Sequence, residues 1–220
     1  MTIRISASLA GAPLDNLRGL LKQLEHARVD YIHFDVEDGS FVPVMTLGTK
    51  IIHDLRPLTS LPFDVHLMMY NPEWLIPSLV RGGADRIAVN FEACPYPRRT
   101  LRKIAELGAT PGLAFNPATP LPPLDFLADY LAYVILLSTE PEEPDCPFLP
   151  AVLNKLFDAK ANSAIQQIEW VVDGGLNADN LGEVVRAGVD VVVIGRAVFL
   201  DGMVVQNIEK LRRASSSPAK

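Results

Sequence analysis

Cysteine is scarce in this 220-residue chain: only Cys94 and Cys146 occur, far apart. No CxxC spacing exists, so a cysteine zinc site and a thiol–disulfide motif are both excluded. Two reduced thiols in a cytoplasmic protein are the expectation. Long basic runs are missing as well. Twenty Lys and Arg against 26 Asp and Glu leave a formal charge of −6 and a pI near 5.2, which disfavours nucleic acid and anionic membrane as partners. No apolar run reaches the length of a membrane span, and the first residues lack the apolar stretch of a secretory signal. Also absent is a GxGxxG fingerprint after the first strand, which argues against an open dinucleotide-binding sheet. No shift in composition divides the chain into two domains.

What is present is ordinary globular composition, 49% hydrophobic and 21% charged. Short apolar runs recur at Ile3–Ser8, Tyr31–Asp35, Phe63–His66, Arg86–Phe91, Thr110–Phe115, Tyr133–Leu137, Glu169–Val172 and Val191–Ile194. They are near-continuous rather than alternating, the mark of parallel strands covered on both faces. Between them lie helical patterns: Leu14, Leu17, Leu21 and Leu24 form one stripe, Trp74, Ile76, Leu79 and Val80 a second, Leu101, Ile104 and Leu107 a third. Three of these segments end alike, in Arg81-Gly-Gly-Ala-Asp85, Glu106-Leu-Gly-Ala109 and Arg186-Ala-Gly-Val-Asp190, where a glycine can take the left-handed conformation that stops a helix before the next strand. Eight strand–helix units of about 27 residues fit a compact single-domain α/β fold, a (β/α)8 TIM barrel. The barrel is expected over residues 1–213, with a frayed Ser/Pro-rich tail over 214–220.

Such barrels place chemistry at the C-terminal ends of their strands. The polar residues there are Ser8, His33, Asp35, His66, Asn90, Asp173 and Arg196. His33 and Asp35 stand two apart on a strand and share a face. A single strand histidine is more often a core residue with its hydrogen bonds met, and a single Asp after a strand is often a helix cap. Two imidazoles and two carboxylates at one rim, where bulky aliphatics are the rule, point instead to one divalent cation, Zn²⁺, Mn²⁺, Fe²⁺ or Co²⁺.

Several segments resemble the ribulose-phosphate 3-epimerase family. Ile32-His-Phe-Asp-Val-Glu-Asp-Gly-Ser-Phe-Val-Pro43 is similar to that family's I-H-F-D-V-M-D-G-H-F-V-P, and Asp64-Val-His-Leu-Met68 to its D-V-H-L-M. Asn116-Pro-Ala-Thr-Pro120, Val172-Asp-Gly-Gly175 and Ala7-Ser-Leu9 follow in register, so the resemblance runs from about Ile5 to Phe199. It implies a metal-dependent ketose or ketose-phosphate 3-epimerase, a homo-oligomer acting on a small sugar or sugar phosphate. It implies His33, Asp35, His66 and Asp173 as metal ligands, and Asp35 and Asp173 as the acid/base pair working through an enediolate. It also implies Ser8, Met68, Gly174, Gly175 and Gly195 as substrate contacts. Barrel decarboxylases and hexulose-phosphate synthases need a D-x-K strand pattern, which His33-Phe-Asp35 does not supply.

Departures from the family pattern cluster at the substrate end. Glu140-Pro-Glu-Glu-Pro-Asp-Cys146 replaces a glycine-rich phosphate loop, and the carboxylates of Glu142, Glu143 and Asp145 repel a phosphate while Pro144 offers no N–H. Arg196 replaces a small residue and brings a guanidinium able to bind phosphate or to pair with the acidic loop. Glu37 and Leu137 stand in place of methionines, Ser40 and Val44 in place of His and Asn, and Asn90 in place of His. Glu37 is expected to bring charge to the mouth or to turn to solvent. These changes leave two alternatives beside the first reading: a related epimerase or isomerase of an unphosphorylated polyol, and a non-catalytic barrel.

Overall fold

Strands that are apolar on both faces need cover on both, and the chain supplies it by closing its sheet on itself and wrapping it in helices. The computed structural model describes residues 3–140, 146–160 and 165–216. Eight parallel strands, β1 (Arg4–Ser8), β2 (Tyr31–Glu37), β3 (Phe63–Met68), β4 (Arg86–Asn90), β5 (Thr110–Phe115), β6 (Tyr133–Leu137), β7 (Glu169–Asp173) and β8 (Val191–Ile194), pair in chain order into a closed barrel. Among the described residues eight helices surround it: α1 (Leu17–His26), α2 (Thr49–Leu55), α3 (Ile76–Arg81), α4 (Pro97–Glu106), α5 (Leu153–Lys160), α6 (Leu181–Arg186), α7 (Arg196–Phe199) and α8 (Val204–Ser216). They are not one per strand. A short 3₁₀ turn at Asp125–Leu127 stands between β5 and β6, and two helices follow β8. No helix among the described residues is long and apolar enough to cross a membrane.

The three glycine stops are as the sequence implies: Gly83, Gly108 and Gly188 have φ of +98°, +93° and +84°. The helical stripes are shorter at their ends than the spacing suggests. Leu14 precedes α1 and is exposed, Trp74 lies in a 3₁₀ turn before α3 and is exposed, and Leu107 caps α4 half in water. Each outermost residue matches the periodicity but falls where the backbone has left the helix. At the C-terminus the helix outlasts the expected start of fraying at Ala214. α8 continues to Ser216, where Ser215 and Ser216 donate back to the Arg212 carbonyl; residues 217–220 lie outside the described part.

Two cores result. The larger, built from residues such as Ile5, Leu24, Phe34, Ile76, Ile104 and Leu211, fills the space between strands and helices. The smaller, with Ala88, Ala114, Tyr133, Ile135, Val171, Val191 and Val193, fills the barrel interior on the side of β4 to β8. The interior on the side of β1 to β3 is polar. Ser6, Ser8, His33, Asp35, Asp64 and His66 are all buried there. Register explains their meeting, since Ser8 lies opposite His33, His33 opposite Asp64, and Asp35 opposite His66.

Asp64 anchors the polar half. It has no exposure to solvent, accepts from Ser6 Oγ and Tyr133 Oη, each at 3.2 Å, and faces Arg86 Nε at 3.5 Å. Arg86 lies between the rings of Tyr31 and Tyr133, 4.4 and 4.0 Å from their centroids, and reaches Glu169 at 2.6 Å. Burial favours the neutral form of Asp64, but the Arg86 charge and the hydrogen bonds of His33 and Ser6 outweigh it and hold the carboxyl down at about 2. A native value below the unfolded one, near 3.9, means the group stabilises the fold above about pH 4, and that contribution is lost as pH falls toward about 2. Asp64→Asn removes one of the two carboxylates facing Arg86 and leaves Glu169 in place, so a loss of about 1–3 kcal/mol at neutral pH is expected. Urea midpoints across pH should show a shallower decline below about pH 4 in the variant; identical acid limbs in the two proteins would contradict this assignment.

Tyr133 itself fits because position 112 has no side chain. A Cβ on Gly112 would lie 2.4 Å from the Tyr133 ring, and both residues are on neighbouring strands in the closed interior. Gly112→Ala should therefore destabilise the protein by about 1–3 kcal/mol through overpacking, read as a lower urea midpoint.

Candidate active site

The rim of the polar half carries the site. β2 aims His33 and Asp35 inward, β3 contributes His66 and β7 ends in Asp173. One ligand-type atom from each of these four residues lies within 4.8 Å of every other. His33 Nε2 stands 3.2 Å from Asp35 Oδ1 and 3.8 Å from Asp173 Oδ2, and His66 Nδ1 is 3.6 Å from Asp35 Oδ1. Ser8 Oγ donates to Asp35 Oδ2 at 2.8 Å. The four residues singled out in the sequence as candidate ligands thus converge on one point.

Each imidazole has its far nitrogen engaged. His33 Nδ1 meets Asp64 at 3.0 Å, which leaves Nε2 facing the centre. His66 Nε2 meets Asn90 Oδ1 at 2.8 Å, which leaves Nδ1 facing it. His66 Nδ1 is buried and has no hydrogen-bond partner among the described residues. A buried nitrogen without a partner is costly unless something else binds it. Two imidazole nitrogens and two carboxylates around that atom make a donor set that suits Zn²⁺, Mn²⁺, Fe²⁺ or Co²⁺. The cluster is therefore one that can bind a divalent cation.

The two carboxylates differ electrostatically. Burial works against ionisation of Asp35, yet the imidazoles of His33 and His66 overcome it and lower its pKa far below the usual carboxylate range. His33 shows the reciprocal effect: burial lowers its pKa, the Asp35 and Asp64 carboxylates more than compensate, and the net shift is well upward. Asp173 is pushed up to about 6, by burial and then by the Asp35 charge. One carboxyl is thus held as an anion and the other keeps a proton into mildly acidic conditions.

A cavity of about 790 Å³ opens above this cluster and runs toward the ends of β7 and β8. Asp35, Asp173, Ser8, Met68 and Leu137 line its inner part; Gly174, Gly175, Gly195 and Arg196 line its outer part with Asn177, Asn180, Glu140 and Glu183. All the sequence's candidate substrate contacts therefore border one cavity. Gly174 and Gly175 have φ of +116° and +66°, and a Cβ would strike Thr139 at the first and the Phe148 backbone at the second. Arg196 is exposed, and among the described residues no hydrogen bond or ion pair holds its guanidinium. The acidic positions Glu142, Glu143 and Asp145 lie outside the described residues, as does Pro144, and the pairing expected between them and Arg196 lies outside them too.

Glu37 takes neither of the two places expected for it. It is buried but does not border the cavity. Its carboxylate accepts from the Thr46 backbone N–H at 2.6 Å and from the Thr46 hydroxyl at 2.8 Å, and burial raises its pKa in spite of these bonds. The side chain ties the loop after β2 to the barrel. Sequence reading also passed over Gly11, where a Cβ would lie 2.6 Å from the Arg196 backbone nitrogen, and Ser138, whose hydroxyl donates to the carbonyls of Asp173 and Gly174 at 2.9 and 2.7 Å. Neither carries a signal in an isolated sequence, because each acts through a neighbour on a distant strand.

The fold is widely shared. The tryptophan synthase α-subunit of Pyrococcus furiosus superposes with a TM-score of 0.65 at 17% identity, covering 97% of this chain and 96% of that one. A 3-hexulose-6-phosphate synthase gives 0.66 at 15%, covering 97% and 99%. Sequence comparison is more discriminating. The ribulose-phosphate 3-epimerase of Bacillus subtilis is 36% identical over 200 residues, 90% of this chain and 92% of that protein. The ribulose-phosphate 3-epimerase 1 of Cupriavidus necator is 37% identical over 225 aligned positions, 97% and 93% of the two chains. The model of the ribulose-phosphate 3 epimerase family matches residues 4–199, and the chain belongs to that family.

Proposed function

We propose that this protein is an isomerase, a metal-dependent 3-epimerase of a ketose phosphate. The observation that carries the reading is the convergence of His33, Asp35, His66 and Asp173 on one buried point at the mouth of the barrel, in a chain whose relatives are ribulose-phosphate 3-epimerases. A proton beside a ketone is weakly acidic. These four residues would hold a divalent cation, which would supply Lewis acidity to stabilise the negative charge that develops as that proton leaves. Asp35 and Asp173 then act as the proton-transfer pair across a planar enediolate: one carboxylate takes the C3 proton, and the other returns a proton to the opposite face. Ser8 orients the Asp35 carboxylate by donating to it. Met68 and Leu137, buried beside the cluster, give the reacting carbons an apolar cap. The outer cavity, with Gly174, Gly175, Gly195 and Arg196, receives the phosphate. The compartment is read as cytoplasmic and the assembly as a homo-oligomer.

Glu140 and Glu183 border the same outer cavity, which favours as a second reading a neutral polyol in place of a phosphorylated one. Proton NMR in D₂O separates the two. The metal-loaded protein should introduce deuterium at C3 of D-ribulose 5-phosphate with growth of the xylulose signal. Exchange with unphosphorylated ketoses alone would move the assignment to the second reading, and exchange with neither would leave a non-catalytic barrel. Asp173→Asn should lower kcat by about 10²- to 10⁴-fold with C3 exchange falling in parallel; a kcat near wild type would remove Asp173 from the chemistry. Arg196→Met should raise KM for the phosphorylated substrate by roughly 10- to 100-fold at nearly unchanged kcat, the worth of one hydrogen bond between charged groups. An unchanged KM would detach Arg196 from the phosphate.

A further inference from the structure

The polar chain behind His66 has a direction. Asn90, at the end of β4, is fully buried and accepts at Oδ1 from His66 Nε2, 2.8 Å away. Its Nδ2 donates to Glu92 Oε2 at 3.2 Å and to Asn116 Oδ1 at 3.4 Å. Glu92, in the single turn that follows β4, accepts at Oε1 from the Asn116 backbone N–H at 2.8 Å. An ionised carboxylate has no hydrogen to give. Asn90 must therefore turn its NH₂ toward Glu92, and the same amide must then turn its oxygen toward His66. An oxygen at that point requires Nε2 to carry the ring hydrogen. The neutral ring then has a bare Nδ1, the buried nitrogen that lacks a partner among the described residues.

We propose that Glu92 and Asn90 are positioning residues that set the ring tautomer of His66, so that a lone pair rather than an N–H points into the cluster. The proposal rests on the reading of His66 as a metal ligand. With the opposite tautomer, Nδ1 would present a hydrogen to the cation and could not coordinate it. His66 is thus oriented by a neutral amide whose own orientation is dictated one residue further out, whereas His33 is oriented directly by the carboxylate of Asp64.

Glu92→Gln tests the direction without changing shape. The amide that replaces the carboxylate can keep its oxygen on the Asn116 N–H and turn its NH₂ toward Asn90. Asn90 then flips, offers its own NH₂ to His66 Nε2, and drives the ring to the Nδ1–H form. The double variant Asn90→Asp/Glu92→Gln restores an acceptor against His66 and a donor behind it. Long-range ¹H–¹⁵N NMR of the chelator-treated full chain reads the tautomer directly, at a pH about two units above the ordinary histidine value, with His66 assigned by its absence in His66→Gln. Zinc affinity, measured by competition with a chelator, is the second readout.

Wild type should show Nε2–H. Glu92→Gln should show Nδ1–H and bind Zn²⁺ roughly 10- to 100-fold more weakly, and the double variant should recover both the tautomer and the affinity. Nδ1–H in the wild type overturns the proposal, as does an unchanged tautomer in folded Glu92→Gln. Thermal unfolding of each metal-free protein reports folding. If the single variant is unfolded, the wild type and the double variant decide, and Nδ1–H in either one overturns the proposal. The predicted tautomers without zinc binding by any of the proteins sustain the relay and overturn the metal reading instead.

Discussion

Everything at the mouth of this barrel leans on the bond between His33 and Asp64. One carboxylate, wholly buried, takes the Nδ1 hydrogen of the site's first histidine and at the same time holds Ser6, Tyr133 and Arg86 beneath it. The layer that fills the barrel and the layer that meets substrate are therefore one hydrogen-bonded body. Displacing Tyr133 loosens Asp64, and loosening Asp64 frees the ring of His33. A barrel interior packed only with aliphatic side chains has no such linkage. Here the side of β4 to β8 is packed mainly with apolar side chains, and the side of β1 to β3 trades apolar packing for orientation.

Much of the fold could be read from the chain because its strands are buried twice. A run such as Val191-Val-Val-Ile194 has no polar face to confuse its assignment, and glycines at positions 83, 108 and 188 mark where helices stop. Helix ends were less legible. Leu14, Trp74 and Leu107 repeat with the right spacing, but spacing carries no information on where the backbone leaves the helix. The missing helix between β5 and β6 has the same origin, since Leu124 and Leu127 bury apolar surface from a 3₁₀ turn as a helix would.

At the site, His33, Asp35, His66 and Asp173 stood out because charged and polar residues are rare inside a barrel. Asp64, Asn90 and Glu92 did not stand out as partners, because their roles arise from strand register and from which end of an amide faces which neighbour. Glu37 shows the limit most clearly. Its identity says that a charge is present near the mouth, but only the position of Thr46, nine residues along the chain, shows that the charge is spent on a loop rather than on the cavity.

The two histidines look equivalent in sequence, yet they meet the centre through different atoms, Nε2 of His33 and Nδ1 of His66. Nδ1 lies two bonds from Cβ and Nε2 three, so β3 reaches the centre with a shorter arm than β2. The amide oxygen of asparagine has the shorter reach and that of glutamine the longer. Position 66 is thus isosteric with asparagine and position 33 with glutamine, and an exchange of those two replacements would place both oxygens at the wrong depth. The geometry gives each histidine its own set of tolerable neighbours in sequence space, a distinction that residue type alone conceals.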